Sequence, residues 1–343
     1  MSGEILFQKT GVSGVITLNR PDALNALTLN MVRLMAPQLQ AWIDDASVEN
    51  IIIEGAGAKG FCAGGDIRAL HDWGRAGAAE ATGFYREEYV LNRMIKTCPK
   101  PYIALIDGIT MGGGVGLSVH GRYRVASEAT VFAMPETGIG LLPDVGGTYF
   151  LPRLPGEIGA YMALTGARLK AADALYAGIA THYTPADALD GLKQALAAGG
   201  DVETVLAQFH TTPDGGTLAA LQSDIDRLFC ADQVIDVLAA LLADGSDWAL
   251  KQHALIETKS PTSAAVALRQ MRDGAQTDFD NCMKIELRAV TRLMHLDDFY
   301  EGVRAIIIEK DNQPKWSPAR NQDVTAAQIE AIFASLGADE LTF

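Results

Sequence analysis

Short apolar runs alternate with helical patterns along the first 150 residues of the chain. The apolar runs predict strands over residues 15–18, 50–54, 102–106, 123–125 and 130–133. A helical spacing of apolar positions predicts helices over residues 30–44, 66–73 and from the Gly112-Gly113-Gly114 triplet to about residue 120. Strands separated by irregular loops and helices indicate an α/β core with largely parallel strands.

The pattern changes after residue 156, where alanine and leucine dominate and strand signals are few. Helical spacing is found over residues 161–165, 171–177, 189–198, 234–243 and 263–271. We therefore predict an α/β core over residues 1–200, followed by a mainly helical C-terminal region over residues 201–343.

Composition and charge narrow the classes of function. The chain has 343 residues, of which 48% are hydrophobic, and a net charge of −14. It can bury a sizeable core, and its acidity argues against a nucleic-acid partner, which would require a basic face. The apolar run at residues 102–119 contains Asp107 and several glycines, so we expect no membrane span.

Cysteine usage and the N-terminus bear on location. The cysteines are widely spaced and form no metal-binding motif: Cys62, Cys98, Cys230 and Cys282. This spacing is typical of a reducing compartment, and no basic and apolar leader of the secretory type is visible. We therefore expect a cytoplasmic protein without a metal or other cofactor.

Two glycine-rich loops are the first candidates for chemistry. Ala63-Gly64-Gly65-Asp66 and Met111-Gly112-Gly113-Gly114 each follow an apolar strand and lead into a helix. Glycine lets the backbone approach a ligand, and free N–H groups at the start of a helix can bind a carbonyl oxygen that becomes negative. These glycines could equally serve tight turns and close helix–sheet packing, and the pattern alone leaves both interpretations open.

Two acidic residues lie on either side of a glycine-containing turn. Glu136 follows Pro135, and Asp144 follows Pro143. A carboxyl group among apolar residues can have a raised pKa and act as an acid or base. Either residue could instead merely favour the first turn of a helix. Glu88, in the sequence Arg-Glu-Glu-Tyr, would by default lie on a solvated helix face.

At these residues the sequence resembles the crotonase (enoyl-CoA hydratase/isomerase) superfamily. The resemblance is carried by ITLNRP at residues 16–21, GFCAGGDIR at 60–68, MGGG at 111–114 and AMPET at 133–137, and it covers most of the chain. It implies a spiral of ββα units with a helical C-terminal region. It also implies an acyl-CoA substrate and allows a homo-oligomer. From the charge and the apolar pattern described above, we expect no nucleic-acid or membrane partner.

The resemblance assigns roles to individual residues. The N–H groups of Gly65 and Gly113 would form an oxyanion hole for the thioester carbonyl. Glu136 and Asp144 match the acid/base positions of the family. Further residues match substrate-binding positions: Glu88, Gly64, Asp66 and Gly112. Candidate cations for the phosphates of CoA are Arg20, Lys59 and Lys310.

One departure from the hydratases changes the expected reaction. Gly116 stands where a hydratase of this superfamily carries the first of its two catalytic glutamates, so only Glu136 of that pair is acidic here. This favours hydrolysis of the thioester over hydration of a double bond. An enoyl-CoA hydratase or isomerase is the alternative within the superfamily. A catalytically silent acyl-CoA-binding protein is the alternative outside enzymes, and the retained Glu136 and Asp144 argue against it.

Overall fold

The computed structural model describes residues 3–343. The chain forms two compact units, each assembled from separate segments. The first unit comprises residues up to Asp66, Glu87–Ala133 and Arg168–Ala219, and the second comprises Ile67–Arg86, Met134–Ala167 and Ala220–Phe343. The division into residues 1–200 and 201–343 stays a prediction.

All the named strands belong to the first unit. They are β1 (Ile5–Thr10), β2 (Ser13–Leu18), β3 (Asn50–Gly55), β4 (Gly60–Cys62), β5 (Tyr102–Ile106), β6 (Ile109–Met111), β7 (Tyr123–Ala126), β8 (Val131–Ala133) and β9 (His182–Tyr183). One sheet has the order β1-β2-β3-β5-β7-β9 and a smaller sheet has the order β4-β6-β8. The β1–β2 pair is antiparallel and the other strand pairs are parallel. The predicted α/β class is therefore confirmed.

Helices connect the strands and form most of the second unit. In chain order they are α1 (Leu29–Asp44), α2 (Ile67–Ala76), α3 (Glu80–Lys96), α4 (Gly113–Ser118), α5 (Gly147–Phe150), α6 (Ile158–Thr165), α7 (Ala171–Tyr176), α8 (Leu189–Ala197), α9 (Val202–Phe209), α10 (Leu218–Leu228), α11 (Val234–Asp244), α12 (Asp247–Glu257), α13 (Pro261–Gly274), α14 (Phe279–Leu293), α15 (Asp297–Val303) and α16 (Ala326–Phe333). No helix among residues 3–343 is long and apolar enough to cross a membrane.

The core of the first unit explains the apolar strands of the sequence. Ile52 of β3 and Ile103 of β5 are completely buried, together with Leu192 of α8 and Leu206 of α9. Burial of such a side chain stabilises the fold by roughly 1.5–3 kcal/mol. Helices α8 and α9 thus pack on the sheet through the apolar residues that the sequence pattern identified.

The smaller sheet contains two strands that the sequence pattern did not predict. Strand β4 follows the predicted strand at residues 50–54, and β6 lies between the predicted strand at residues 102–106 and the glycine triplet. Each of these strands has only three residues, which is too short to show a period of two. The sheet is important for the site because β4 leads into the first glycine loop and β6 into the second.

Candidate functional site

The two glycine loops lie against each other in the first unit. A Cβ atom on Gly64 would lie 3.6 Å from the carbonyl oxygen of Met111 and 3.9 Å from the nitrogen of Gly113. A Cβ atom on Gly113 would lie 3.3 Å from the nitrogen of Gly65. The parallel strands β4 and β6 pair directly before these loops and bring them together. The expectation that two separate loops converge therefore has a structural basis.

Some of these positions require glycine because of their backbone conformation or close packing. Gly64 has a φ of 118° and Gly112 a φ of 46°, which are backbone conformations that favour glycine. At Gly114, a Cβ atom would lie 2.2 Å from the carbonyl oxygen of Cys62. Gly64, Gly112 and Gly114 thus have structural reasons to be glycine.

The backbone groups that flank Gly65 pair the first glycine loop with Leu27. Leu27 forms an isolated parallel bridge with Gly65. In that bridge the N–H of Leu27 donates to the carbonyl of Gly64 at 2.8 Å, and the N–H of Asp66 donates to the carbonyl of Leu27 at 2.9 Å. Because these flanking groups make the bridge, the N–H of Gly65 itself is not used in it.

Glu88 lies beside the second glycine loop. A Cβ atom on Gly113 would be 2.7 Å from Oε1 of Glu88, and the Glu88 side chain is only 1% exposed. The default expectation of a solvated helix face is therefore wrong for Glu88. It describes Glu87 instead, which is partly exposed and forms an ion pair with Arg33 at 2.6 Å.

Asp66 and Arg20 form an ion pair with each other. The resemblance assigns Asp66 to substrate binding and makes Arg20 a candidate for the phosphates of CoA. Nη2 of Arg20 donates to Oδ2 of Asp66 at 3.0 Å, and Nη1 donates to the carbonyl oxygen of Ala26. This ion pair ties the loop after β2 to the first glycine loop. Lys59 and Lys310 are exposed, and their roles stay predictions.

The second unit contains the other acidic candidates. Glu136 begins a 3-10 helix over Glu136–Ile139, and its side chain is 7% exposed. Its Oε2 is buried, and no group in the described part of the chain forms a hydrogen bond with it. Burial, followed by the negative charge of Asp144, raises the pKa of Glu136 well above its usual value. This carboxyl group is therefore a strong base once it is ionised.

Asp144 precedes a turn that a third carboxyl group holds. Glu286 of α14 accepts the N–H of Gly146 at Oε2 and the N–H of Thr148 at Oε1, both at 2.8 Å. Burial and the charge of Asp144 raise the pKa of Glu286 to about 8. Three acidic side chains thus influence one another in this unit, and the turn between Asp144 and Thr148 is anchored to α14.

Glu286 was not among the residues that the sequence predicted. It lies 142 positions after Asp144, and no local motif connects them. A usable signal does exist in α14, whose buried positions Cys282, Met283, Leu287 and Val290 form an apolar stripe that includes Glu286. An acidic residue on such a stripe indicates a buried carboxyl group with a specific partner.

Within residues 3–343, the His, Cys, Asp and Glu side chains form no cluster that could hold a metal ion. The candidate groups described above are carboxyl groups and backbone amides. A buried carboxyl group of raised pKa can take up a proton or attack a carbonyl carbon, and paired backbone N–H groups can stabilise an oxyanion.

Comparison with known proteins defines the class. The sequence profile of the enoyl-CoA hydratase/isomerase family matches residues 13–333, and the chain belongs to this family. Among its relatives is the mitochondrial 3-hydroxyisobutyryl-CoA hydrolase of Xenopus tropicalis, 50% identical over 99% of this chain and 91% of the relative. The human protein of the same name is 48% identical over the same shares. The predicted resemblance to the crotonase superfamily is therefore confirmed, and residues 86–89, 108–121 and 132–147 are the stretches that resemble this hydrolase.

Solved structures confirm the crotonase-like fold. A carnitinyl-CoA dehydratase from Mycobacterium thermoresistibile superposes with a TM-score of 0.95 at 43% identity, covering 100% of this chain and 99% of that one. An enoyl-CoA hydratase from Rhodobacter sphaeroides superposes with a TM-score of 0.93 at 39% identity, covering 99% of this chain and 100% of that one.

The predicted cytoplasmic location is wrong in the light of these relatives. The hydrolases of Xenopus, human and rat that match nearly the whole chain are named as mitochondrial proteins. The sequence argument rested on scattered cysteines and on a missing secretory leader. Neither observation distinguishes the cytoplasm from another reducing compartment.

Proposed function

We propose that this protein is an acyl-CoA thioester hydrolase and that 3-hydroxyisobutyryl-CoA, an intermediate of valine catabolism, is its substrate. The observation that carries the proposal is the buried carboxyl group of Glu136, which has an oxygen without a hydrogen-bond partner in the described chain and a raised pKa. Relatives of 48–50% identity that carry the name of this hydrolase support the choice of substrate.

The backbone N–H groups of Gly65 and Gly113 are proposed to bind the carbonyl oxygen of the thioester. Two observations support this role: the two loops approach each other closely, and the N–H of Gly65 is not used in the bridge to Leu27. Hydrolysis passes through a tetrahedral intermediate whose oxygen is negative, and each well-placed N–H donor stabilises it by about 3 kcal/mol.

Glu136 supplies the reacting carboxyl group by one of two routes. In the first, an oxygen of Glu136 attacks the carbonyl carbon, the carbon–sulfur bond breaks and CoA leaves as the thiol after protonation. Water then cleaves the acyl anhydride and regenerates the carboxyl group. In the second, Glu136 takes a proton from water, whose oxygen attacks the same carbon. Both routes yield the free acid and the CoA thiol.

The remaining residues are proposed to bind and orient the substrate. Asp144 orients the 3-hydroxyl group or handles a proton, and Glu88 contributes a buried carboxyl group beside Gly113. Gly64 and Gly112 allow the backbone to approach the substrate, and Asp66 holds the first loop through its ion pair with Arg20. Lys59 and Lys310 are proposed to contact the phosphates of CoA.

Enoyl-CoA hydration is the second candidate, because the structural relatives of TM-score 0.95 and 0.93 carry dehydratase and hydratase names. Gly116 argues against it. This residue is buried in α4 and offers no carboxyl group where a hydratase of the superfamily has its first glutamate. A water activated by two glutamates is therefore not available at this position.

The test is a thiol-release assay with a panel of short acyl-CoA thioesters that contains 3-hydroxyisobutyryl-CoA, isobutyryl-CoA and crotonyl-CoA. Rapid thiol release from the hydroxylated substrate, slower release from isobutyryl-CoA and no loss of the conjugated absorbance of crotonyl-CoA are expected. Loss of that absorbance without thiol release from any member of the panel would show that the enzyme is a hydratase and not a hydrolase.

A further inference from the structure

The turn after Asp144 has a backbone that needs support. Val145 has a φ of 51° and Gly146 a φ of 89°, so both lie in the left-handed region. For a β-branched residue such as valine this conformation is an outlier, and it persists only where surrounding contacts hold it. The contacts around the turn should therefore show what keeps it in place.

Glu286 contacts this turn through both of its carboxylate oxygens. It accepts the N–H of Gly146 and the N–H of Thr148 at 2.8 Å each, and its side chain is completely buried. Without this acceptor, two buried backbone N–H groups would lose their hydrogen-bond partner. One side chain of α14 thus restrains the backbone on the C-terminal side of Asp144.

Gln270 of α13 holds the same turn at a second place. Its Nε2 donates to the carbonyl oxygen of Pro143 at 3.1 Å and to Oγ1 of Thr148 at 2.7 Å. Gln270 is also completely buried. Pro143 precedes Asp144 directly, so the turn is fixed on both sides of this residue by buried polar side chains of two different helices.

We propose that Glu286 is a positioning residue for the hydrolysis, because it holds the turn that carries Asp144. This inference rests on the proposed function, since Asp144 must take part in the reaction for its position to matter. Glu286 acts through the backbone of Gly146 and Thr148. It lies outside the sets of residues to which the family resemblance gives a role. Misplacement of a reacting group by about 1 Å can lower a rate about a hundredfold. The loss of this support should therefore have a measurable effect on the rate of hydrolysis.

The decisive variant is Glu286→Gln. The amide has the size of the carboxyl group, but it replaces one acceptor oxygen by an NH₂ group that faces a backbone N–H. We expect a folded protein with kcat lowered about ten- to a hundredfold and KM for 3-hydroxyisobutyryl-CoA within about threefold of the unchanged protein. Gln270→Leu removes the second support and should also lower kcat, which provides an independent variant if Glu286→Gln does not fold.

Asp173→Asn is the matched control. Asp173 is likewise buried and accepts two backbone N–H groups, those of Thr217 and Leu218, both at 2.7 Å. The segment that it holds carries no candidate site residue. We expect Asp173→Asn to lower the melting temperature but to leave kcat per folded molecule unchanged.

The outcomes separate this inference from the proposed function. A selective loss of kcat in Glu286→Gln and Gln270→Leu supports the positioning role. If both folded variants keep the kcat of the unchanged protein, or if Asp173→Asn loses as much, the role is purely structural and the inference is overturned. If the unchanged protein releases no thiol from any acyl-CoA, the proposed function fails first.

Discussion

A methyl group on Gly113 would lie 2.7 Å from Oε1 of Glu88. That is shorter than a normal contact between carbon and oxygen, and the same methyl group would lie 3.3 Å from the nitrogen of Gly65. The relationship joins the two glycines that the family resemblance assigns to the oxyanion hole with Glu88, which it assigns to substrate binding. A methyl group at position 113 would therefore require the Glu88 side chain to shift.

The first prediction concerns Gly113→Ala. The added methyl group should displace Glu88 or the first glycine loop and disturb both N–H groups of the proposed oxyanion hole. We expect kcat/KM to fall about a hundredfold, comparable with the removal of one oxyanion donor. Thiol release with purified protein measures it. Gly83→Ala is the control, because a Cβ atom there meets nothing within 4 Å and helix α3 should be stabilised slightly. Equal kcat/KM in both variants would contradict this account of Gly113.

The second prediction concerns Lys59. This residue is exposed, and the resemblance assigns it to the CoA phosphates. If it binds a phosphate, Lys59→Ala should raise KM for the CoA thioester about three- to tenfold with little change in kcat, and added salt should reduce the difference. The matched substrate is the corresponding pantetheine thioester, which lacks the phosphates. A rise in KM of the same size with that substrate would show that Lys59 does not bind the phosphates.

The third prediction is a dependence of stability on pH that originates at Glu286. The carboxyl group titrates near 4.5 when unfolded, and its pKa is raised to about 8 by burial and by Asp144. Between these values the folded protein holds a proton that the unfolded chain has lost. The free energy of unfolding should therefore fall as pH rises from 5 to 8, by up to about 1.4 kcal/mol per pH unit from this group.

Glu286→Gln removes this titration, so its stability should fall less steeply with pH than that of the unchanged protein. Asp144 and Cys282 are titratable groups that interact with Glu286, and both remain in the variant. Urea unfolding at pH 5, 6, 7 and 8 measures the difference. Parallel curves for the two proteins would show that Glu286 titrates at its ordinary pKa.

The fourth prediction tests the anhydride route for Glu136. If Glu136 attacks the thioester and water then opens the anhydride at the carboxyl carbon of Glu136, repeated turnover in water enriched in oxygen-18 should place the label in that carboxyl group. Mass spectrometry of the peptide that contains Glu136 detects this label. The peptide that contains Glu87 serves as the control within the same digest. A product acid that is labelled while Glu136 is not would exclude an anhydride that water opens at the carboxyl carbon of Glu136.

The sequence predicted the parts of the fold that depend on local patterns. Strand β5 and helix α1 were found within one residue of their bounds, because each is long enough to show its period. Strands β4 and β6 were missed, since three residues show no period and their pairing depends on contacts distant in sequence. These short strands nevertheless bring the two glycine loops together.

The acidic residues were likewise predicted only where a local sequence pattern marks them. Glu136 and Asp144 stand beside prolines and glycines that mark a turn, so the sequence could single them out. Glu88 was assigned a solvated face by default, although Phe84, Tyr89 and Ile95 of the same helix are buried. Glu286 stands beside no turn or motif of that kind. In both helices, an acid on the apolar stripe is the physical signal that identifies a buried carboxyl group.

The most direct test of the central claim is thiol release from 3-hydroxyisobutyryl-CoA by the unchanged protein and by Glu136→Gln, measured side by side. Glu87→Gln, which changes an exposed ion pair with Arg33, is the control. The account predicts thiol release by the unchanged protein and by Glu87→Gln, and a loss of at least about a thousandfold in folded Glu136→Gln. Full thiol release by Glu136→Gln would contradict it.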